Sequence, residues 1–285
     1  MFTAMLEHPD FNDYDLSSLR TGVTGAAPCP LAVMKQVVTK MHMREVVTAY
    51  GQTEAAPITT MTKPDAPIER RVDSVGQVIP HQEIKIINPQ TGRIVPRNQP
   101  GEICFRGYNV MSGYDHDLLA TAQTIDDNWW LHSGDIGTMD DDAYIRITGR
   151  IKEMVIRGGE NIYPREIEEF LHTHTDVSQV AVVGVPDERL GEELLAAVIM
   201  TNSANQLTEK EWKERCKDRI AHYKIPKYWL VFDQFPMTAS GKIRKFKLRE
   251  IAIRQLGLID TGNTNTEIEN TEESQNTIEE TTRSN

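Results

Sequence analysis

Cysteine is scarce in this chain, basic charge is outweighed by acidic charge, and long apolar runs are missing; each shortage removes a class of protein. The three cysteines, Cys29, Cys104 and Cys216, stand far apart without CxxC or Cys/His spacing. That excludes a disulfide framework or a zinc ribbon and fits inert thiols in a reducing compartment. Lys and Arg total 31 against 42 for Asp and Glu, a formal charge of -11, so no broad basic surface exists to neutralise nucleic-acid phosphates. No apolar stretch approaches the ~20 residues of a membrane-spanning helix. The N-terminal MFTAMLEHPDFNDYD is too acidic for a transit peptide and too polar for a secretory signal. None of the eight histidines has triad or metal spacing, and His172 and His174 read as surface residues.

What is present suits a folded chain of about two domains, since 285 residues at 39% hydrophobic content can build real cores. PLAVMKQVVTKM (Pro30 to Met41) has helical spacing, and EVVTAY (Glu45 to Tyr50) reads as a buried strand. YGQTE (Tyr50 to Glu54) then lies at a strand's C-terminal end, where open α/β sheets bind ligands. Short strands follow at Glu83 to Ile87, Gly101 to Arg106 and Tyr144 to Thr148, with Asp135 closing a short aromatic strand in NWWLHSGD.

After Arg150 the pattern changes. A strand at MVI, a helix at PREIEEFLHTH, strands at VSQVAVVGV and LLAAVIM, a helix at EKEWKERCKDRIAHY, a strand at YWLVF and a terminal helix KFKLREIAIRQLGL predict a small α+β domain. The expected boundaries are 1–150, 151–258 and a tail 259–285. From Thr261 onward the tail holds six glutamates against one arginine and no aromatics, which predicts a disordered extension.

Four segments carry chemistry: YGQTE, HSGD (His132 to Asp135), GRIKEMVIRGGENIYPREIE (Gly149 to Glu168) and PMTASGKIRK (Pro236 to Lys245). Read by themselves, Thr53 offers a hydroxyl and Glu54 is either a solvated carboxylate or a hard anionic oxygen donor. Asp135 is a turn cap or an acceptor for vicinal hydroxyls, and Arg150 a surface ion pair or a forked donor. Gly158 and Gly159 allow close backbone approach or simply make a turn. Lys242 is a mobile cation beside a glycine.

In their order and approximate spacing these segments resemble the acyl-adenylate-forming superfamily, from about Met5 to Leu258. IRGGENIYP, AHYKIPKY and SGKIRKFKLRE look like its mitochondrial medium-chain acyl-CoA ligase branch. The resemblance implies an α/β and α+β fold: the C-terminal part of a large adenylating domain, with a mixed sheet and a β subdomain, then a small mobile domain. It implies ATP-dependent ligation of a fatty acid to coenzyme A, with ATP, Mg2+ and coenzyme A as cofactors or co-substrates and a mitochondrial location. The rivals are an adenylating enzyme with another acyl acceptor and an inactive remnant that binds ligands.

Residue by residue, the resemblance puts Gly25, Ala26, Ala27, Tyr50, Gly51, Gln52, Thr53, Asp135, Ile147, Arg150 and Lys242 around ATP or AMP. Thr53, Glu54 and Lys242 act in catalysis, with Glu54 as the metal ligand. Ser133 stands where the family usually has Thr and keeps the hydroxyl. Lys152 is the hinge, and Arg157, Gly158, Gly159 and Glu160 form the segment that swings in for thioester formation while Lys242 swings out. Lys224 and Lys227 meet coenzyme A phosphates or form an ordinary basic surface. The family's Gly-rich phosphate loop has no counterpart here. That predicts a fragment of a longer enzyme, an incomplete gene model or a chain that has lost catalysis, with truncation favoured and little activity from these residues alone.

Overall fold

The computed structural model describes residues 1–25, 29–202, 207–238 and 241–258. Ala26, Ala27 and the tail expected at 259–285 lie outside them. The described chain divides into two compact units, Met1–Val155 with Asn161–Thr175, and Ile156–Glu160 with Asp176 onward.

The first unit contains α1 (Phe2–Leu6), β1 (Thr21–Thr24), α2 (Leu31–Lys40), β2 (Glu45–Tyr50), β3 (Thr60–Met61), α3 (Ile68–Asp73) and β4 (Gln77–Val78). It continues through β5 (Gln82–Ile87), β6 (Gly101–Gly107), α4 (Leu118–Thr124), β7 (Leu131–Met139) and β8 (Ile145–Arg150). The four strands β1 to β4 form a mixed sheet, with β1 parallel to β2 and the other pairs antiparallel. In α2 the helical period brings Met34 and Val37 to one face, where they bury with Met41, Met43 and Val46. This core backs β2 and so fixes where its C-terminal end emerges.

Strands β5 to β8 make an antiparallel meander. Its core unites Ile86, Ile103, Phe105, Leu131 and Ile145 with Ala55, the residue that follows Glu54. Backbone bonds Val75 N to Ile145 O and Ile145 N to Gly76 O, both 2.8 Å, stitch the segment before β4 to β8. The two sheets therefore meet beside YGQTE.

Beyond β9 (Val155–Arg157), β10 (Glu160–Ile162) and α5 (Pro164–Leu171), the second unit is built on β11 (Val177–Asp187) and β12 (Gly191–Met200). These are antiparallel over nearly their whole length. The chain closes with α6 (Glu209–Cys216), β13 (Tyr228–Val231), parallel to β12, and α7 (Lys245–Leu256). Alternate residues Ala181, Val183 and Val185 of β11 and Leu195 and Ala197 of β12 pack with Leu248, Ala252 and Ile253 of α7. Burial of Leu194 to Val198 without a break explains the continuous apolar run of that central strand.

Three expectations need correction. The helix expected over EKEWKERCKDRIAHY stops at Cys216: Lys217 takes an extended ψ of 137°, Asp218 has φ +59°, and the Cys216 carbonyl accepts from the amides of Arg219 and Ile220. Asp135 does not close its strand but sits inside β7, which begins at Leu131, after Trp129 has turned the chain at φ +63°. His174 is half-buried with its ring edge-on to Phe170, centroids 5.4 Å apart, and only His172 of that pair is exposed.

Candidate active site

Asp135 organises the first unit's polar cluster. Register pairs it with Arg150 across β7 and β8, and Arg150 Nε donates to Asp135 Oδ1 at 3.0 Å. The Tyr50 hydroxyl, at the end of β2, donates to Asp135 Oδ2 at 2.6 Å. Asp135 is 7% exposed, whereas the Arg150 side chain is about half exposed, so the carboxylate lies at the base of the cluster and the guanidinium at its rim. Burial, then the Asp135 charge beside it, pushes the Tyr50 phenol far above its ordinary range and keeps it a donor.

The backbone around Asp135 is fixed locally. Ser133 Oγ donates to Ile103 O at 2.6 Å and accepts from the Asp135 amide at 3.0 Å. Gly134, at φ +69°, donates its amide to Glu102 Oε1 at 3.1 Å. Ser133 is thus a bracket for the strand.

Gly51, Gln52, Thr53 and Glu54 leave β2 through a single 3₁₀ turn, Thr53–Ala55. A Cβ at Gly51 would fall 1.8 Å from Pro57 O, so this turn accepts no larger residue there. Thr53 is exposed and Glu54 half-buried. Three groups from the segment after β6 hold the turn: the Tyr114 hydroxyl donates to Glu54 Oε1 at 2.8 Å, Met111 N to Glu54 O at 2.8 Å, and Asn109 Nδ2 to Ala55 O at 2.7 Å. Sequence reasoning missed Asn109, Met111 and Tyr114, whose polar–apolar mixture in NVMSGY carries no period. Gly25 follows β1 directly, Ile147 packs half-buried on the meander core, and Lys152 is exposed in the short turn after β8.

On β7, which also carries Asp135, and its other neighbour β6 lies a second cluster that sequence spacing did not reveal. His132 Nδ1 is 2.9 Å from Glu102 Oε2 and 3.7 Å from Cys104 Sγ. Cys104 and Glu102 together hold the imidazole up at about 10, while burial raises the Cys104 thiol. Cys104 and His132 are register partners, a proximity that no CxxC-type spacing encodes.

In the second unit Arg157 Nε donates to Glu193 Oε1 at 2.5 Å, and its Nη1 to Tyr223 O at 3.3 Å. Glu193 is only 1% exposed, so Arg157 is an anchored residue rather than a free cation. Gly158 and Gly159 take φ +59° and +89°, a turn that other residues strain to make, and Glu160 is exposed. A cavity of about 650 Å3 is lined by Arg157, Asp187, Arg189, Leu190, Glu193 and Lys227, with Lys227 Nζ 2.9 Å from Asp187 Oδ2. Lys242 is exposed on a turn closed by Thr238 N to Lys242 O, 2.8 Å, and Lys242 N to Thr238 Oγ1, 3.0 Å.

Comparison with known proteins agrees with this geometry. The AMP-binding enzyme family matches residues 1–115 and the AMP-binding enzyme C-terminal domain residues 166–242. YngI of Bacillus subtilis (strain 168), whose name assigns it provisionally to the acyl-CoA synthetases, is 52% identical over 87% of this chain and 45% of its own length. A mitochondrial medium-chain acyl-CoA ligase of Bos taurus is 45% identical over 87% of this chain and 40% of its own. The chain thus spans less than half the length of these relatives. Among solved structures, o-succinylbenzoate CoA synthetase from Bacillus subtilis, in complex with the acyl-adenylate OSB-AMP, has a TM-score of 0.75 at 30% identity, covering 87% of this chain and 49% of that one. The amide bond synthetase McbA from Marinactinospora thermotolerans reaches 0.77 at 32% identity, covering 88% and 50%. With both domain families matched in order along one chain, and the YGQTE turn and Asp135 brought to one place, the chain belongs to the acyl-adenylate-forming, AMP-binding enzyme superfamily.

Proposed function

We propose that the complete arrangement to which this chain belongs ligates a medium-chain fatty acid to coenzyme A. The fatty carboxylate attacks the α-phosphate of ATP and pyrophosphate leaves; the coenzyme A thiol then attacks the acyl carbonyl and AMP leaves. The observation that carries the reading is Asp135, a buried carboxylate held between Tyr50 and Arg150. A carboxylate has about four acceptor positions, and two are used, leaving capacity for the vicinal hydroxyls of a ribose. Arg150, half exposed at the rim, would donate to the same ribose or its phosphate.

Thr53 and Lys242 would donate to the phosphate or substrate carboxylate. Gly25 and Ile147 would border the adenine; Ala26 and Ala27, for which the same role is expected, lie outside the described residues. Glu54 fits a magnesium ion: it is a hard oxygen ligand, and Tyr114 occupies Oε1 while Oε2 remains. One protein carboxylate suffices for an ion that keeps several waters and binds substrate phosphates. Bound there, magnesium would supply neutralisation of phosphate charge. Lys152 would act as hinge between a region ending near residue 150 and the mobile domain 151–258, with Arg157 to Glu160 serving the thioester step. A mitochondrial location draws support from the ligases so named, although the bacterial relative extends the likeness beyond that organelle.

A second reading, transfer of the acyl group to an amine, draws support from the amide bond synthetase among the similar structures. The test is fatty-acid-dependent pyrophosphate exchange by the full-length product, followed by transfer to coenzyme A or to an amine. Exchange with medium-chain acids and thioester formation are expected, and amide formation alone would overturn the reading. Residues 1–285 by themselves should exchange little; rates of ~1 s⁻¹ would show that no further segment is needed.

A further inference from the structure

The Glu102, Cys104 and His132 cluster is used by none of the steps above. Its three donor atoms, a carboxylate oxygen, a sulfur and an imidazole nitrogen, lie within 4.8 Å of one another, and among the described residues it is the one such grouping of three metal-ligating side chains. The geometry points to a binding site for a divalent cation of zinc's borderline-soft class, held by Cys104 Sγ, His132 Nδ1 and Glu102 Oε2.

Distances come first. Bonds of ~2.3 Å to sulfur and ~2.0 Å to nitrogen or oxygen, at tetrahedral angles, separate N from S by about 3.6 Å and N from O by about 3.3 Å. The chain has 3.7 and 2.9 Å, so the sulfur already stands at the required distance from the nitrogen, and Glu102 needs to open from that nitrogen by about 0.4 Å. Glu102 and Cys104 lie two apart on β6, and His132 reaches them from β7, so the paired strands set the spacing rather than a loop.

The surroundings fit as well. Metal-binding imidazoles usually have a carboxylate at the other ring nitrogen, and Asp126 Oδ2 lies 3.7 Å from His132 Nε2. Gly134 N donates to Glu102 Oε1, orienting the carboxylate and leaving Oε2 for the ion. Charge also balances: a thiolate and a carboxylate offset a divalent cation beside a neutral imidazole, which suits a site with Glu102 and Cys104 buried. Binding releases the thiol proton and the Nδ1 proton to solvent, and water fills the fourth position. Lys85, register partner of Cys104, turns its ammonium to the Trp130 ring at 4.2 Å. Magnesium, which demands hard oxygen ligands, should not compete.

The test titrates purified residues 1–285 with Co2+ and reads the near-ultraviolet thiolate-to-cobalt charge-transfer band. One equivalent should bind, be displaced by Zn2+ and resist excess Mg2+. Cys104→Ser should abolish the band, Cys216→Ser should leave it, and Asp126→Asn should weaken binding about 10- to 100-fold. Where Cys104→Ser fails to fold, X-ray absorption of the zinc-loaded unmodified chain decides, with one sulfur and one imidazole expected in the shell. Absence of the band, its survival in folded Cys104→Ser, or a shell of oxygen alone would reduce the cluster to a hydrogen-bonded strut and overturn the site.

Discussion

The Tyr50 phenol and the Asp135 carboxylate meet at 2.6 Å although 85 positions separate them in the chain. This bond ties the end of the mixed sheet to the middle of the meander, so it fixes the carboxylate proposed to face the nucleotide and joins two sheets at once. Tyr50→Phe should therefore lower stability by about 1.5–3 kcal/mol, the range for a hydrogen bond to a charged group. Urea unfolding measures it, and a cycle with Asp135→Asn should show the two changes to be strongly non-additive. Additive effects would mean that the phenol acts elsewhere.

Asp135→Ala in the full-length enzyme should weaken AMP binding by about one to two orders of magnitude, because ribose donors lose their acceptor. Calorimetry on the folded variant reads this directly. Unchanged affinity would remove Asp135 from the nucleotide site.

Tyr114 reaches Glu54 Oε1 from outside the YGQTE segment, so it should orient the carboxylate without touching substrate. In the full-length enzyme, Tyr114→Phe should raise the Mg2+ concentration needed for half-maximal adenylation severalfold. Glu54→Gln should raise it at least about tenfold, by analogy with other orienting and ligating groups. Equal Mg2+ dependence in all three proteins would detach this turn from the metal.

These residues also mark how far the sequence could be read. Strands β2, β6, β11 and β12 were legible because apolar runs bounded by turns leave few alternatives, and α7 because its period is helical. YGQTE and HSGD were legible as local motifs. Tyr114 on Glu54, and Glu102 with His132, were not, because each pair depends on register between strands or on a loop folding back, and neither leaves a periodic trace. The break at Cys216 was hidden for another reason: the helical pattern continues in sequence, while Asp218 takes a left-handed conformation that composition does not announce.

Thiol chemistry follows from burial. Cys216 is fully buried and its thiol is pushed up to about 11, so at pH 8 only about one molecule in 10³ carries the thiolate. Half-buried Cys29 should react first with Ellman's reagent, with Cys216 and Cys104 following slowly in the native protein and fast in urea. Because the nucleophile is the thiolate, the native Cys216 rate should rise about tenfold per pH unit up to about 11. Rapid native labelling of Cys216, mapped by peptide mass spectrometry, would contradict its burial at the end of α6.

Lys242 and Gly159 give the sharpest separation of the two half-reactions. Lys242 is exposed on a turn whose backbone is fixed at Thr238, so its ammonium is deliverable without local refolding. In the full-length enzyme Lys242→Ala should slow adenylation about 10²- to 10³-fold, the usual loss for one preorganised electrostatic contact. Transfer from a supplied acyl-adenylate to coenzyme A should stay near its normal rate. At Gly159, with φ +89°, a Cβ would meet no atom within 4 Å, so Gly159→Val acts through backbone strain in the Arg157 to Glu160 turn rather than through a clash. It should slow thioester formation more than adenylation. Single-turnover assays of each half resolve the two variants, and equal slowing of both halves by Lys242→Ala would make that lysine a general binding residue and end the alternating assignment.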